Sequence, residues 1–494
     1  MTLRDAFPHV GFGTSGVRAL VDDLSDEVVS AYARAFAQHV AEKGAWSECV
    51  VGWDLRPSSP AIAAAVCAGL EAEGLAPVLV GALPTPAVAL AGFERGVPSV
   101  MVTGSHIPFD RNGVKFCTAV GEILKRDEAG IAGREFSAVR LDAGALASAV
   151  ARWTREVERL TAGDERALRE AGIAARAYVA RTQGLVAKGA LSGTRVGLYQ
   201  HSAVGRDLLV ALLEELGAEV VPLGRSDAFV AIDTEAVSAE DEARAAAWCE
   251  QHALDAVVST DGDGDRPWLA DERGRFVPGD VLGPLVAAWL GVRHVVTPVS
   301  SNTLVERSGL FEEVVRTKIG SPFVIEAMQA LSERAAPVAG YEANGGFLLQ
   351  TPLERDGHTL APLPTRDAAL PLLAALAQRA ELGVPVSHLR ARLPARFTAS
   401  GRLQAVDRAR AASLLGALCR DPSEVLVPLG KVLASVDTTD GVRLTLHDGD
   451  VIHLRGSGNA PELRCYVESD SDEAASALRE AVLERVSALL AAAA

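Results

Sequence analysis

The sequence predicts an α/β protein: three similar α/β domains with mixed or parallel sheets, then a smaller C-terminal α+β domain. Three observations predict it. At 494 residues the chain is too long for one hydrophobic core and matches about three or four units. Short apolar strands alternate with amphipathic helices in three successive rounds, the signature of βαβ units. Roughly the last hundred residues change to closely spaced strands joined by Asp/Gly turns. The composition, 49% hydrophobic and 23% charged, is ordinary for globular proteins and excludes fibrous, collagen-like and disordered chains.

In the first round, Val28, Tyr32, Phe36 and Val40 recur at helical spacing within 26–43, with acids at the start and Gly44 beyond the end. A β-rich run at 49–53 follows. A helix then opens at Ser59-Pro60 and closes at Gly74. Residues 77–80 read as a strand, 86–95 as a helix and 98–103 as a strand. The Ala- and charge-rich stretch 134–190 is mostly helical by pattern and links the first two domains. A second round runs through 195–200 (strand), 206–217 (helix), 219–223 (strand), 239–252 (helix capped by Ser238) and 255–260 (strand). A third comprises 294–300, 323–333 and 338–342. In the final domain 432–436, 442–447 and 451–454 read as strands and 472–494 as a helix. The expected boundaries are 1–190, 191–275, 276–393 and 394–494.

Lys and Arg number 48 against 64 Asp and Glu, a net charge of −16. Nucleic acids and anionic membranes need a net basic footprint, so neither is an expected partner. A small anion needs only local positive charge. The six cysteines form no CxxC pair and lie at no zinc spacing with His, which fits buried thiols in a reducing compartment. No secretory signal is visible, and the longest apolar run, 283–292, is about half a membrane span. The expected location is cytoplasmic. Monomer and dimer are both compatible with the sequence.

Four runs carry chemistry. Asp261-Gly262-Asp263-Gly264-Asp265-Arg266 directly follows a strand. Its three alternating carboxylates, separated by glycines that let the backbone curl, can converge on a hard divalent cation. Magnesium is the expected ion because phosphate is the expected partner. An EF-hand would share acids at the same spacing, with Glu272 in its last ligand position, but Arg266 stands where that loop needs glycine. A phosphatase using Asp261 as nucleophile is a second alternative. The second run, 103–108 followed by 110–115, also lies beyond a strand and offers Ser105 as a nucleophile; in isolation it reads as a polar loop. The third, 455–461, combines glycines, hydroxyl and amide donors and an Arg fork, suited to a dianionic phosphate. The fourth, 340–346, presents Glu342 and Asn344, which can hydrogen-bond vicinal sugar hydroxyls. Taken singly, the last two read equally well or better as plain turns.

In order and spacing, these runs resemble the loops of the α-D-phosphohexomutase superfamily, which includes phosphomannomutases, phosphoglucomutases, phosphoglucosamine mutases and N-acetylglucosamine-phosphate mutases. Phe12-Gly13-Thr14-Ser15-Gly16-Val17-Arg18 is similar to its opening FGTSGxRG segment, with Ala19 replacing the last glycine. Thr103-Gly104-Ser105-His106-Ile107-Pro108 is similar to its phosphoserine loop, 261–266 to its metal loop, 340–346 to its sugar loop and 455–461 to its phosphate loop. The resemblance runs from residue 12 to about 468.

The resemblance implies four domains around a central cleft, each giving one loop. It implies that Ser105 carries a phosphoryl group, with Asp261, Asp263, Asp265 and Ser105 around Mg2+. Arg18, His106, Lys115 and Arg266 would serve the transfer, His106 and Lys115 by helping proton movement. Glu342, Asn344 and Lys318 would hold the sugar, and Arg455, Ser457, Gly458 and Asn459 its unreacting phosphate. The implied reaction interconverts hexose 1- and 6-phosphates through hexose 1,6-bisphosphate, which also acts as activator. A phosphosugar is then the substrate, with mannose or glucose phosphate expected first. Phosphoglucosamine or N-acetylglucosamine-phosphate mutase activity is the alternative within the family. A non-catalytic sugar-phosphate-binding protein is the alternative of another class. Ile107, Asn344, Gly346, Asn459 and Ala460 depart from the common motifs.

Overall fold

The computed structural model describes residues 1–492 except 14, 166–167, 236 and 458–460. In the first sheet, Glu48–Trp53, Ala76–Ala82 and Ser99–Val102 run parallel, as the βαβ pattern predicts. The sheet is mixed, one of the two forms expected for these domains. Arg111–Thr118 returns antiparallel beside Ser99–Val102 and carries Val17–Leu20 and Gly11–Phe12 on its other edge. The run 110–115, read from sequence as part of a loop, is therefore mostly strand. Its polar residues concealed it: Asn112 is buried and donates to the hydroxyls of Ser58 (2.8 Å) and Ser59 (2.9 Å). Polar side chains satisfied inside a core break the hydrophobic pattern without breaking the strand.

The helix Asp26–Ala41 forms as its pattern predicts. Ser25 Oγ accepts from the Val28 amide, and Val28, Tyr32, Phe36 and Val40 are all buried. In the second sheet Arg195–His201, Glu219–Arg225 and Ala256–Thr260 are parallel, and Pro267–Ala270 folds back antiparallel. Ser238 caps the helix Ala239–His252 by accepting from the Asp241 amide. The third sheet places His294–Pro298 parallel between Glu313–Thr317 and Val338–Tyr341, then adds Phe347–Leu349 and Leu363–Asp367 antiparallel. The last sheet is wholly antiparallel, in the order Phe397–Gln404, Glu462–Ser469, Val451–Gly456, Val442–Leu446, Leu433–Asp437. The helix Asp472–Ala492 packs Ala475, Leu478, Val482 and Val486 into its core.

One apolar cluster runs through the first three domains, including Val88, Leu212, Leu285 and Leu373. The C-terminal domain has a separate core around Leu444, Ile452, Leu454 and Val467. It meets the third domain through polar groups: the Thr303 amide donates to Glu468 Oε2 at 2.9 Å, and Asn302 Nδ2 donates to the Arg396 carbonyl at 3.1 Å. The apolar run 283–292 lies mostly in the buried helix Gly279–Trp289. Among the described residues no helix is long and apolar enough to cross a membrane.

Asp280, in the first turn of that helix, is 3% exposed and accepts from the Asn302 amide through Oδ2, while Oδ1 has no hydrogen-bond partner among the described residues. Burial raises its pKa from 3.8 to about 6, with Glu468 adding to the rise and Asn302, Arg390 and Arg316 opposing it. A carboxyl with a raised folded pKa holds its proton more tightly in the folded chain. Its contribution to stability therefore falls as pH rises from about 4 to about 6 and is flat above that. A shift of this size corresponds to about 3 kcal/mol. Asp280→Asn is thus expected to gain about 3 kcal/mol on the wild type between pH 4 and pH 7, measured by denaturant unfolding at both values. A gap that does not change with pH contradicts the assignment.

Candidate active site

Ser105 follows the fully buried strand Ser99–Val102. Its backbone sits at φ +54°, a left-handed conformation uncommon for a residue with a side chain. Three local bonds hold it there. Thr103 Oγ1 accepts from the Ser105 amide at 2.7 Å and itself donates to Asp54 Oδ2 at 2.8 Å, and the Gly104 amide reaches the same oxygen at 3.3 Å. The turn directs Ser105 Oγ onto Asp261 Oδ2, to which it donates at 2.7 Å. His106 Nδ1 lies 3.4 Å from the same hydroxyl.

The run 261–266 is the tip of a hairpin, because Thr260 pairs with Pro267 across it. The Asp261 amide donates to the Arg266 carbonyl, and the amides of Asp265 and Arg266 both donate to Asp261 Oδ1 at 3.2 Å. Gly264 takes φ +71° to close the curl. From the first domain, Thr85 Oγ1 donates to Asp263 Oδ2 at 2.6 Å. The three aspartates are buried, with ligand oxygens within 4.8 Å of one another. Oδ1 of Asp263 and of Asp265 are buried with no hydrogen-bond partner among the described residues. Orphaned oxygens within a buried carboxylate triad are what a hard divalent cation would satisfy, so the donor set fits one. Glu272 is not part of this group: it accepts from the Ser387 amide at 3.2 Å and from its hydroxyl. That removes the EF-hand reading.

Lys115 Nζ bridges Asp263 Oδ2 and Asp265 Oδ2 at 2.6 Å each. It stands among the carboxylates rather than at the Ser105 hydroxyl. Arg366, which sequence reasoning missed, completes the cluster. It is 1% exposed, donates from Nη2 to Asp265 Oδ2 at 2.7 Å and from Nη1 to Glu342 Oε2 at 2.9 Å, and so ties the acidic loop to Glu342. Its only sequence signal is an Arg-Asp pair within the otherwise uncharged strand Leu363–Asp367.

Burial drives the Asp261 carboxyl well above the ordinary range, and Asp263 and Asp265 push it further. Burial also raises Asp265, but Arg366, Lys115 and Arg266 outweigh it and hold that carboxyl low. Arg18 is brought close to Arg266 and Arg366; burial and then those two cations pull its pKa down to about 10. Arg266, burial and Arg18 together push His106 well below its usual value. The imidazole is therefore neutral at pH 7 and can accept a proton. Arg366 is already paired with Asp265 and Glu342, so the positive charge that Arg18 and Arg266 crowd beside it suits a polyanion.

The remaining predicted residues divide. Glu342 and Asn344 are both buried beside the cluster, but Asn344 Oδ1 accepts from the Gly346 amide at 3.0 Å and so shapes its own turn. Gly346 has a steric reason: a Cβ there would lie 2.5 Å from Arg366 Cδ. Lys318 is exposed, with Nζ 5.8 Å from the Phe323 ring centroid, and among the described contacts none carries it to Glu342. Arg455 Nε lies 3.4 Å from Asp440 Oδ1, and the neighbouring turn is held by the Ser457 amide donating to the Glu462 carbonyl. Directly across the sheet from Arg455 is Arg464, a second cation that the motif reading passed over. Like charges opposite one another weaken a sheet and favour a bound anion between them. Gly458 and Asn459 lie outside the described residues.

Comparison with known proteins agrees with this architecture. Family models described as phosphoglucomutase/phosphomannomutase domains match in sequence: α/β/α domain I at 9–138, domain II at 176–274, domain III at 278–397 and the C-terminal domain at 389–485. The chain is 42% identical over 485 residues to a phosphomannomutase of Salmonella muenchen, covering 97% of this chain and 96% of that one. It is 44% identical over 474 residues to a phosphomannomutase of Sinorhizobium fredii, covering 94% and 96%. A phosphoglucosamine mutase of Symbiobacterium thermophilum matches at 30% over 467 residues, covering 90% and 96%. Among solved structures, a phosphoglucomutase/phosphomannomutase family protein from Burkholderia thailandensis shares the fold at a TM-score of 0.71 and 21% identity, covering 96% and 97%. From its opening segment to its last sheet, this chain belongs to the phosphoglucomutase/phosphomannomutase family.

Proposed function

We propose that the protein is a phosphohexomutase, acting first on mannose phosphates, that moves a phosphoryl group between positions 1 and 6 through a phosphoserine at Ser105. The observation that carries this reading is the Ser105 hydroxyl 2.7 Å from Asp261, inside a buried triad of aspartates and beside three guanidiniums. The preference for mannose is supported by the 42% and 44% matches to phosphomannomutases, against 30% to a phosphoglucosamine mutase. In this reading the loops come from four units, 1–190, 191–275, 276–393 and 394–494.

Phosphoryl transfer depends on in-line placement and charge stabilisation more than on covalent help. The free hydroxyl of the sugar monophosphate attacks the phosphorus on Ser105, and the phosphorus–Ser105 Oγ bond breaks. The hydroxyl proton passes to neutral His106 and returns to Ser105 Oγ. The resulting hexose 1,6-bisphosphate turns over in the cleft and gives its other phosphoryl group back to Ser105; as donor it also primes unphosphorylated enzyme. Asp261, Asp263, Asp265 and the Ser105 group would hold Mg2+, which would supply charge neutralisation at the transferring phosphoryl. Lys115 and Arg366 fix the carboxylates, while Arg18 and Arg266 face the phosphoryl oxygens. Glu342 and Asn344, with Lys318 reaching in from the rim, bind sugar hydroxyls. Arg455 and Ser457, together with Gly458 and Asn459, hold the unreacting phosphate.

A turnover panel of mannose, glucose, glucosamine and N-acetylglucosamine 1-phosphates, with Mg2+ and glucose 1,6-bisphosphate, tests the reading. The highest kcat/KM is expected for mannose 1-phosphate, without release of phosphate. Free phosphate as the product supports the Asp261 phosphatase, and binding without turnover supports a sensor. Fastest turnover of a hexosamine phosphate overturns the substrate.

A further inference from the structure

We propose that Arg56 and Phe229 are positioning residues for Ser105, a strut and a wedge that set the nucleophile against the aspartate loop across the boundary between the first two domains. The proposal rests on Ser105 as the phosphoryl carrier. Arg56 follows the strand Glu48–Trp53, and its side chain is fully buried. Its Nη1 donates to the carbonyls of Pro108 (2.7 Å) and Arg111 (2.9 Å), and its Nη2 to those of Ser105 (2.9 Å) and Ile107. Its Nε lies 3.3 Å from Asp54 Oδ2, the oxygen that also holds Thr103 and Gly104. One guanidinium thus gathers four carbonyls of the loop carrying Ser105. Gly104 leaves room for it, since a Cβ there would lie 2.5 Å from Arg56 Cζ. Ile107 offers this loop no side-chain hydrogen bond, so its shape depends on bonds made from beneath.

The open face of the guanidinium is covered from the second domain. The Phe229 ring centroid lies 4.0 Å from Arg56 Cζ, a cation–π contact. Phe229 belongs to the segment between Glu219–Arg225 and Ala239–His252, pinned where the Val230 amide donates to Ser202 Oγ at 2.8 Å. The ring also borders the aspartate loop: a Cβ on Gly262 would meet Phe229 Cε2 at 3.3 Å and the Ser105 carbonyl at 3.1 Å. The ring is therefore wedged between the strut under Ser105 and the loop that bears Asp261. Planarity matters at both contacts, since a lysine ammonium could neither fork to four carbonyls nor stack on the ring. Small displacements of a nucleophile cost rate far more than they cost binding.

The test compares Phe229→Leu, which keeps apolar bulk but loses the ring, with Phe229→Tyr, which keeps both. Phe229→Leu is expected to lower kcat about tenfold, with KM for mannose 1-phosphate within about twofold and the rate of Ser105 phosphorylation, followed by intact mass, falling in parallel. Phe229→Tyr is expected to stay within about twofold of the wild type, and Arg56→Lys to lose about 100-fold in kcat. A Phe229→Leu enzyme with wild-type kcat overturns the proposal, as does a loss confined to KM or a Tyr variant as impaired as the Leu variant. A wild type that turns over while Phe229→Leu is unchanged defeats this inference alone. A wild type without mutase turnover defeats the reading beneath it, and the inference with it.

Discussion

Ser105→Ala lowers mutase turnover by about 10⁵-fold, the loss expected when a covalent carrier is removed from an otherwise intact site. No neighbouring group can replace it. His106 is neutral and 3.4 Å away, and the aspartates are engaged by Lys115, Arg366 and Thr85. The fold is expected to tolerate the change. The hydroxyl makes one bond to Asp261, a carboxyl that burial already favours in its neutral form, so the cost is about 1 kcal/mol. Binding of mannose 1-phosphate should persist, because the phosphate-holding arginines are untouched. A coupled assay, a thermal melt and calorimetric titration separate the three quantities. Wild-type turnover in this variant removes the phosphoserine from the mechanism.

The second large effect is on stability. Arg366→Met leaves Asp265 and Glu342 buried without their shared cation. Removing one partner from a buried ion network costs about 3–5 kcal/mol, because the remaining charges lose their compensation and cannot reach water. Lys115 still bridges Asp265, so the damage falls most heavily on Glu342, whose carboxylate has no other described partner among side chains. Denaturant unfolding is expected to show that loss, and mutase kcat/KM should fall with it because the aspartate loop and Glu342 are no longer tied together. Addition of Mg2+ should restore part of the stability by neutralising Asp265. A variant as stable as the wild type contradicts the role assigned to Arg366.

The sequence made the reacting loops legible because each concentrates unusual chemistry within a few residues. Asp261, Asp263, Asp265 and Ser105 need no long-range contact to attract notice. Arg366 and Arg56 were hidden for the opposite reason. Each is a single arginine at the end of a short strand, and its meaning comes from carboxylates or carbonyls supplied elsewhere: Asp265 lies 101 positions away from Arg366, and Ser105 lies 49 from Arg56. The strand Arg111–Thr118 was hidden by buried polar residues whose partners are equally distant, such as Lys115 with Asp263. Arg464 escaped because strand pairing, not spacing, puts it opposite Arg455. Alternating helices and strands disclosed the α/β class, since periodicity is local. They did not locate the antiparallel returns within the first three sheets, which depend on short strands such as Pro267–Ala270 and Phe347–Leu349.

The proposed mutase reaction depends on one transfer: the phosphoryl group moves from Ser105 to the sugar and stays on sugar or enzyme. Single turnover of enzyme carrying a ³²P-phosphoryl group on Ser105, mixed with unlabelled mannose 1-phosphate, follows that transfer directly. The predicted result is label leaving Ser105 and appearing in mannose 1,6-bisphosphate and mannose 6-phosphate at the rate of turnover, with none in inorganic phosphate. Label released as inorganic phosphate, or retained on the protein while mannose 6-phosphate forms, contradicts it.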